Sequence, residues 1–262
     1  MNPKISVITI SYNNKAGLEK TFESVTTQDY KDFEYIVIDG GSKDGSKELL
    51  EKYTDQITYW ISEPDKGIYD ALNKGISQAK GIFTVFINSG DSLYAKDVLS
   101  KLAVIDESYD VVSGDVNLVL PNGKNQVKKH ENCSLKFLLT NTPHHQGSRI
   151  RTELLKMNLY RMDYKIISDW AWFFDRYIEN KKFLQLDEIT SNFTLDGISS
   201  LQPELLKKER QDFLNKNHPE FALINEELNR LADANMQLKM AIKKIYSSRA
   251  IQLLKKFKLT KL

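Results

Sequence analysis

Over the first 115 or so residues, short apolar runs rich in β-branched side chains alternate with segments whose apolar positions recur every three or four residues. Ile5 to Ser11 predicts a strand, and Lys15 to Gln28, with Leu18, Phe22 and Val25 on one face, predicts a helix. Phe33 to Asp39 and Ile57 to Ser62 read as further strands. Ser42 is placed to cap a helix running to about Tyr53, Ile68 to Ala79 reads as a helix, Phe83 to Asn88 as a buried strand and Lys96 to Asp106 as a helix. This βαβ rhythm predicts an α/β fold, a mostly parallel central sheet flanked by helices.

The rhythm then breaks. Asp110 to Ser113 and Val116 to Leu120 predict two strands, and Pro121-Asn122-Gly123-Lys124 a turn that returns a strand near Gln126 to His130. A short helix around Leu135, a strand near His145 to Ile150 and a helix from about Asp169 to Glu179 follow. A last strand pair is expected over Phe183 to Thr194, ending in the loop Leu195-Asp196-Gly197-Ile198-Ser199. From Pro203 the pattern is almost wholly helical. The expected division is therefore 1–201 for a catalytic domain, in two parts of about 1–115 and 116–201, with 202–262 as a helical, basic extension.

The chain of 262 residues is long enough for one sizeable core and an appendage. No run of about 18 apolar residues occurs, and a strand starting near Ile5 leaves no room for a signal peptide, so the expectation is a chain neither secreted by that route nor spanning a membrane. Cys133 is the only cysteine, which excludes an intrachain disulfide and fits a reducing cytoplasm. Charge is unevenly spread: Lys239 to Leu262 holds eight Lys or Arg and no acid, against 29 basic and 35 acidic residues before it.

In an open α/β sheet, ligands bind beyond the carboxyl ends of the strands. Three such ends carry chemistry here: Ser11-Tyr12-Asn13-Asn14, Asp39-Gly40-Gly41-Ser42-Lys43-Asp44-Gly45 and Asn88-Ser89-Gly90-Asp91. Each alone is ordinary turn composition. Together, at strands expected to be neighbours, they suggest a site in which an aspartate at the end of a buried strand meets a cation and phosphates. A dinucleotide or P-loop cradle needs glycines directly after the first strand, and Tyr12-Asn13-Asn14-Lys15 supplies none.

On the ordered series Val7-Ile8-Thr9-Ile10-Ser11-Tyr12-Asn13, Tyr35-Ile36-Val37-Ile38-Asp39-Gly40-Gly41-Ser42, Ser62-Glu63-Pro64-Asp65-Lys66-Gly67-Ile68-Tyr69-Asp70-Ala71-Leu72-Asn73-Lys74-Gly75 and Phe86-Ile87-Asn88-Ser89-Gly90-Asp91, the chain resembles family 2 glycosyltransferases of the A-type nucleotide-sugar fold. It is most similar to the subgroup acting on bacterial surface and exopolysaccharides. The resemblance spans roughly residues 4 to 200, and makes 1–115 the nucleotide-sugar half and 116–201 the acceptor half.

The resemblance implies an inverting transfer of sugar from a nucleotide-diphospho-sugar to an acceptor hydroxyl. Ser11, Tyr12, Asn13 and Asp39 would contact the nucleotide, with Tyr12 against the base and Asp39 bonding base or ribose. Many relatives have two adjacent acids where this chain has Asp39-Gly40; uridine is the default base, with guanosine and thymidine left open. Asn88, Ser89 and Gly90 with Asp91 stand in the place of the family's Asp-x-Asp motif. Asp91 is thus the one carboxylate for Mn²⁺ or Mg²⁺, which would neutralise the departing diphosphate. Lys66 and Asn73 are further donor contacts.

Asp169, in Ser168-Asp169-Trp170, matches the family's general base; a helix-capping role with Ser168 as cap is the alternative from the residues alone. His145 and Gln146, in Pro143-His144-His145-Gln146, are assigned to the diphosphate and sugar side, and Trp170 to the acceptor. The acceptor is expected to be a glycan or lipid-linked sugar. A noncatalytic nucleotide-sugar-binding or scaffold protein is the rival class, suggested by the incomplete Asp-x-Asp motif.

In the extension, Ile224, Leu228, Leu231, Asn235, Leu238, Ile242 and Ile245 follow heptad spacing with Asn235 at an a position. A homodimer through Ile224 to Ile245 and a helix packed on its own domain are both left open. Beyond it, Ile242, Ile245, Tyr246, Arg249, Leu253 and Phe257 share a face amid Lys243, Lys244, Lys255, Lys256 and Lys258, which suits an anionic membrane surface on the cytoplasmic side. No stacking platform or reading motif accompanies these charges, so nucleic acid is not an expected partner.

Overall fold

The computed structural model describes residues 2–120, 123–129, 131–194 and 202–247. The turn residues Pro121 and Asn122, His130, the Leu195 to Ser199 loop, the Leu201 boundary and the tail beyond Ser247 lie outside the described residues.

All seven residues of β1 (Ile5–Ser11) are buried. They lie between two parallel neighbours, β2 (Phe33–Asp39) and β4 (Phe83–Phe86), and both faces are covered, which is why the strand tolerates a near-continuous apolar run. β3 (Tyr59–Ser62) adds in parallel to β2. Helix α1 (Lys15–Thr26), begun by the Asn14 side chain accepting the Gly17 N–H at 3.1 Å, buries Leu18, Phe22 and Val25. α3 (Ile68–Gln78) buries Tyr69, Ala71, Leu72, Gly75 and Ile76. Each large apolar side chain so buried contributes roughly 1.5–3 kcal/mol.

The remaining strands are β5 (Ser92–Leu93), β6 (Val111–Val119), β7 (Asn125–Lys128), β8 (Arg149–Arg151) and β9 (Phe183–Thr194). They complete a sheet of order β3-β2-β1-β4-β8-β6-β9-β5, with β7 paired to β6. The chain turns antiparallel at β8 and parallel again between β6 and β9. Among the described residues before Pro203, the remaining α-helices are α2 (Ser46–Lys52), α4 (Val98–Ala103), α5 (Leu135–Thr140), α6 (Thr152–Met157) and α7 (Ser168–Ile178).

Four expectations are corrected. Val111–Val119 is one strand: the extra residues lie on β9, where 186–188 face Gly114 alone, and a Cβ on Gly114 would lie 2.3 Å from Thr190 Cγ2; the turn-like Gly114-Asp115 masked the continuity of the strand. Phe183 to Thr194 is one long strand, because its partners are β6 and β5 and not itself. The segment His145 to Gly147 is not ladder strand: it touches β4 through a single bridge, Phe86 to Gln146. Ser42 caps no helix, since α2 starts at Ser46 after a left-handed Gly45, and Ser42 is drawn to Asp39 instead.

The chain divides into two compact units, Met1–Arg210 and Gln211–Leu262. In the second, α8 (Pro203–Asn217) ends and α9 (Pro219–Tyr246) begins, joined by bonds from Gln211 Nε2 to the Ala222 carbonyl and from Asn225 Nδ2 to Gln211 Oε1. On α9, Ile224, Leu231, Leu238, Ile242 and Ile245 are exposed. Among the described residues, no helix is long and apolar enough to cross a membrane.

Candidate active site

Strand register brings the three loaded ends together. Ser11 pairs with Asp39, and Asp39 with Ser62. On the other side of β1, the backbone N–H groups of Ile87 and Ser89 donate to Ile8 and Ile10. The strand order reverses at β1, the switch point where such sheets bind ligands.

Asp39 is fully buried. Its Oδ2 accepts the Gly41 and Ser42 N–H groups and the Ser62 hydroxyl (3.2, 2.9 and 2.6 Å), and its Oδ1 accepts the Ser42 hydroxyl. It therefore shapes the loop that carries it. Asn13, at φ 47°, accepts the Lys43 N–H on its Oδ1 and donates its own N–H to Ser42, clasping the same loop. Tyr12 by contrast is 66% exposed and available as a platform.

A Cβ on Gly40 would lie 2.5 Å from Asp65 Oδ2 and 3.1 Å from Tyr12 Cδ2. Asp65 thus brings a carboxylate into the space that a side chain at position 40 would fill. Sequence reasoning missed it, because proximity across the β2 and β3 ends is the only signal. Lys66, next to it, is exposed, and its backbone N–H is held by Asp70.

At the end of β4, Gly90 takes φ 102°, a conformation that favours glycine, and Ser89 bonds back to the Asn14 carbonyl at 3.1 Å. Asp91 is 6% exposed, with Oδ1 accepting the Thr194 N–H at 3.0 Å. Ser11 Oγ and Asn88 Oδ1 are buried without a hydrogen-bond partner. Such orphaned oxygens are costly unless a ligand satisfies them. Both, like the Asp91 carboxylate, are oxygens of the kind a hard divalent cation takes. No group of three or more His, Cys, Asp or Glu that could hold a metal occurs among the described residues.

The part of the site around Asp169 is assembled from distant segments. Asp169 lies in the first turn of α7; Ile167 and not Ser168 holds the cap position. Its Oδ1 accepts the Tyr69 hydroxyl at 3.0 Å and its Oδ2 faces His145 Nδ1 at 3.2 Å. Tyr69 also accepts the Ser168 N–H at 3.0 Å. His145 Nε2, on the other side of the ring, lies 3.4 Å from Asn88 Nδ2. His145 therefore joins the base candidate to the Asn88 turn.

Burial pushes the Asp169 carboxyl up, but the His145 hydrogen bond and charge, the Trp170 backbone N–H and the Tyr69 hydroxyl outweigh it and hold it below the ordinary carboxylate value. Burial first, then the Asp169 charge, raises the Tyr69 phenol well above its ordinary value, so it stays a donor. A carboxylate offers about four lone-pair directions, three are used, and 19% of the side chain is exposed; one direction remains for an incoming proton.

Two assignments fail on geometry. Trp170 is 1% exposed, donates its indole N–H to the Leu138 carbonyl at 2.6 Å and packs on Phe174, so it belongs to the core. Asn73 has both ends of its amide bonded to the Tyr160 backbone (2.8 and 2.9 Å), which makes it an anchor for that segment. Gln146 is buried beside Phe86, its carbonyl accepting from Ser191. Tyr69 was quoted within a motif without a role; only the folded chain brings it to Asp169.

Chemical turns at the switch point of a mostly parallel sheet, with a later helix presenting one hydrogen-bonded carboxylate beside them, define an A-type nucleotide-sugar glycosyltransferase fold. Residues 6–178 match the family model described as glycosyl transferase family 2, more than half of the chain, and the chain belongs to that family. An uncharacterised glycosyltransferase of Mycobacterium tuberculosis is 45% identical over 100 residues, 38% of each chain. A PGL/p-HBAD biosynthesis glycosyltransferase of Mycobacterium bovis is 28% identical over 64% of this chain and 67% of its own length.

Two solved structures share the fold. TarS 1–349 of S. aureus in complex with UDP-GlcNAc gives a TM-score of 0.65 at 24% identity, covering 82% of this chain and 67% of that one. The mannosyltransferase PcManGT of Pyrobaculum calidifontis, with GDP-Man and Mn²⁺, gives 0.66 at 16% identity, covering 99% and 81%.

Proposed function

We propose that this protein is an inverting, metal-assisted glycosyltransferase that moves a sugar from a nucleotide-diphospho-sugar, by default a UDP-sugar, to a hydroxyl of a glycan or lipid-linked acceptor in bacterial surface glycan assembly. The observation that carries this reading is Asp169: a carboxylate, 19% exposed, held by the Tyr69 hydroxyl and by His145, whose other ring nitrogen faces Asn88. Asp169 takes the acceptor proton as that oxygen attacks the anomeric carbon and the nucleoside diphosphate leaves from the opposite face, inverting the configuration. Asp91 and the Asn88 amide oxygen would hold Mn²⁺ or Mg²⁺, which would neutralise charge on the leaving diphosphate.

Tyr12 stacks on the base, and Asp65, beside the loop that Asp39 shapes, sets the polar edge that reads it. Ser11 offers its unpartnered hydroxyl, Ser89 and Gly90 keep the turn open to phosphate, and Lys66 reaches the donor from its exposed loop. Gln146 supports the sugar side. UDP- and GDP-sugars in the two structural neighbours favour a nucleotide sugar as the donor class. The rival noncatalytic reading leaves the Tyr69–Asp169–His145 arrangement without a purpose.

The protein works at the cytoplasmic face of the membrane, with the basic tail on anionic lipid. The exposed strip of α9 pairs two copies, since a lone helix would leave Leu231, Leu238 and Ile245 in water. The deciding experiment incubates the full chain with a panel of nucleotide sugars, Mn²⁺ and lipid-linked sugar acceptors. Nucleoside diphosphate release with an inverted glycosidic product is expected; binding of the donor without release under any acceptor would favour the noncatalytic reading.

A further inference from the structure

A second cluster stands beside Asp169 and is not used by the chemistry above. Arg210, in α8, is 8% exposed; it donates to the Thr142 hydroxyl and lies 4.8 Å over the Trp170 ring. Its Nε is buried with no hydrogen-bond partner. Two residues from Thr142, the His144 Nε2 stands 3.3 Å from Lys128 Nζ at the end of β7, and the His144 ring packs on Phe193. The Thr142 to His144 segment therefore has a guanidinium at one end and an ammonium at the other.

Neither cation makes an ion pair with a carboxylate among the described residues. Burial, then the Arg210 charge, pulls the Lys128 amine below its ordinary value. Burial lowers the Arg210 guanidinium to about 10, with Asp169 acting against it. Asp169 is already engaged by His145 and Tyr69. Holding two like charges side by side out of water is costly, and an oxyanion between them relieves that cost. A guanidinium fork, an ammonium and a threonine hydroxyl are the donors a tetrahedral phosphate uses.

We propose that Lys128, Arg210 and Thr142 form an anion subsite for a phosphate group of the acceptor, set next to Asp169 so that a phosphate-bearing acceptor presents a nearby hydroxyl to the base. This rests on the glycosyltransferase reading, and it narrows the acceptor to a phosphorylated glycan or a lipid-phosphate-linked sugar.

The test is calorimetric titration of the full chain with glycerol 3-phosphate, and with glycerol as the uncharged control, after saturation with UDP and Mn²⁺. Glycerol 3-phosphate is expected to bind and glycerol not to; Lys128→Met should weaken binding about tenfold. Arg210→Lys, which keeps the charge and loses the fork, is expected to weaken it less, and thermal melting of both variants checks that they fold. Equal binding by wild type and Lys128→Met, or no binding at all, overturns the subsite. Binding that UDP and Mn²⁺ abolish overturns the acceptor assignment and gives the anion to the donor diphosphate. Failure of UDP itself to bind, read in the first titration, strikes at the functional reading and not at the subsite.

Discussion

On the donor side the chemical groups sit at the ends of neighbouring strands, and the sheet's own register sets their spacing: Ser11 beside Asp39, Asp39 beside Ser62. On the acceptor side, Asp169, His145 and Tyr69 come from segments separated by 24 and 100 residues and meet only through side-chain hydrogen bonds. The donor side thus has backbone-held turns, with Asp39 and Asn13 used largely to shape them. The acceptor side has one carboxylate whose charge state and aim depend on two neighbours. Deleting a donor-side group should weaken binding in graded fashion, whereas the acceptor side should lose turnover.

The sharpest break in that comparison is Asp169→Asn, expected to lower kcat by about 10²- to 10⁴-fold, the usual contribution of a general base, in a steady-state transfer assay. Asp91→Asn is next, at about 10²-fold in kcat/KM, with a higher metal concentration needed for half-maximal rate; metal titration reads both. Tyr69→Phe should cost about tenfold in kcat and little in donor KM.

The same variant fixes a sign. Tyr69 donates to the ionised carboxylate, so its loss raises the Asp169 pKa and moves the acid limb of the kcat profile to higher pH. In the wild type that carboxyl lies below its ordinary value. The stability it contributes is therefore complete above the unfolded carboxylate pKa and is lost as pH falls through the folded one. Tyr12→Ala is the mildest change, raising donor KM about three- to tenfold at unchanged kcat, as loss of one aromatic stack predicts.

The same contrast explains what could be read in advance. β1 to β4 and their turns were legible because a parallel sheet buried on both faces writes itself as apolar runs, and its register then places Ser11, Asp39 and Asn88 without further information. Past Gly114 the signal fails: Gly114-Asp115 divided one strand into two in the pattern, and β9, which carries the bulge, pairs with strands far away in sequence. Trp170 illustrates the limit at the site. Its position beside Asp169 suggested the acceptor, but α7 turns successive residues by about 100°, and the next side chain points into the core. Asp65 and Tyr69 were in plain view within a quoted motif, yet their roles exist only where the β3 end meets Gly40 and where α3 meets α7.

The most direct measurement of the central claim takes Asp169→Asn, loads it with UDP-sugar and Mn²⁺ in a calorimeter, and follows single-turnover transfer from the same complex. The account predicts a donor Kd within about twofold of the wild type, since the proposed contacts to the base and metal lie at the β1, β2 and β4 ends, and no transfer on the wild-type timescale. Transfer at near wild-type rate, or loss of donor binding along with transfer, would contradict it.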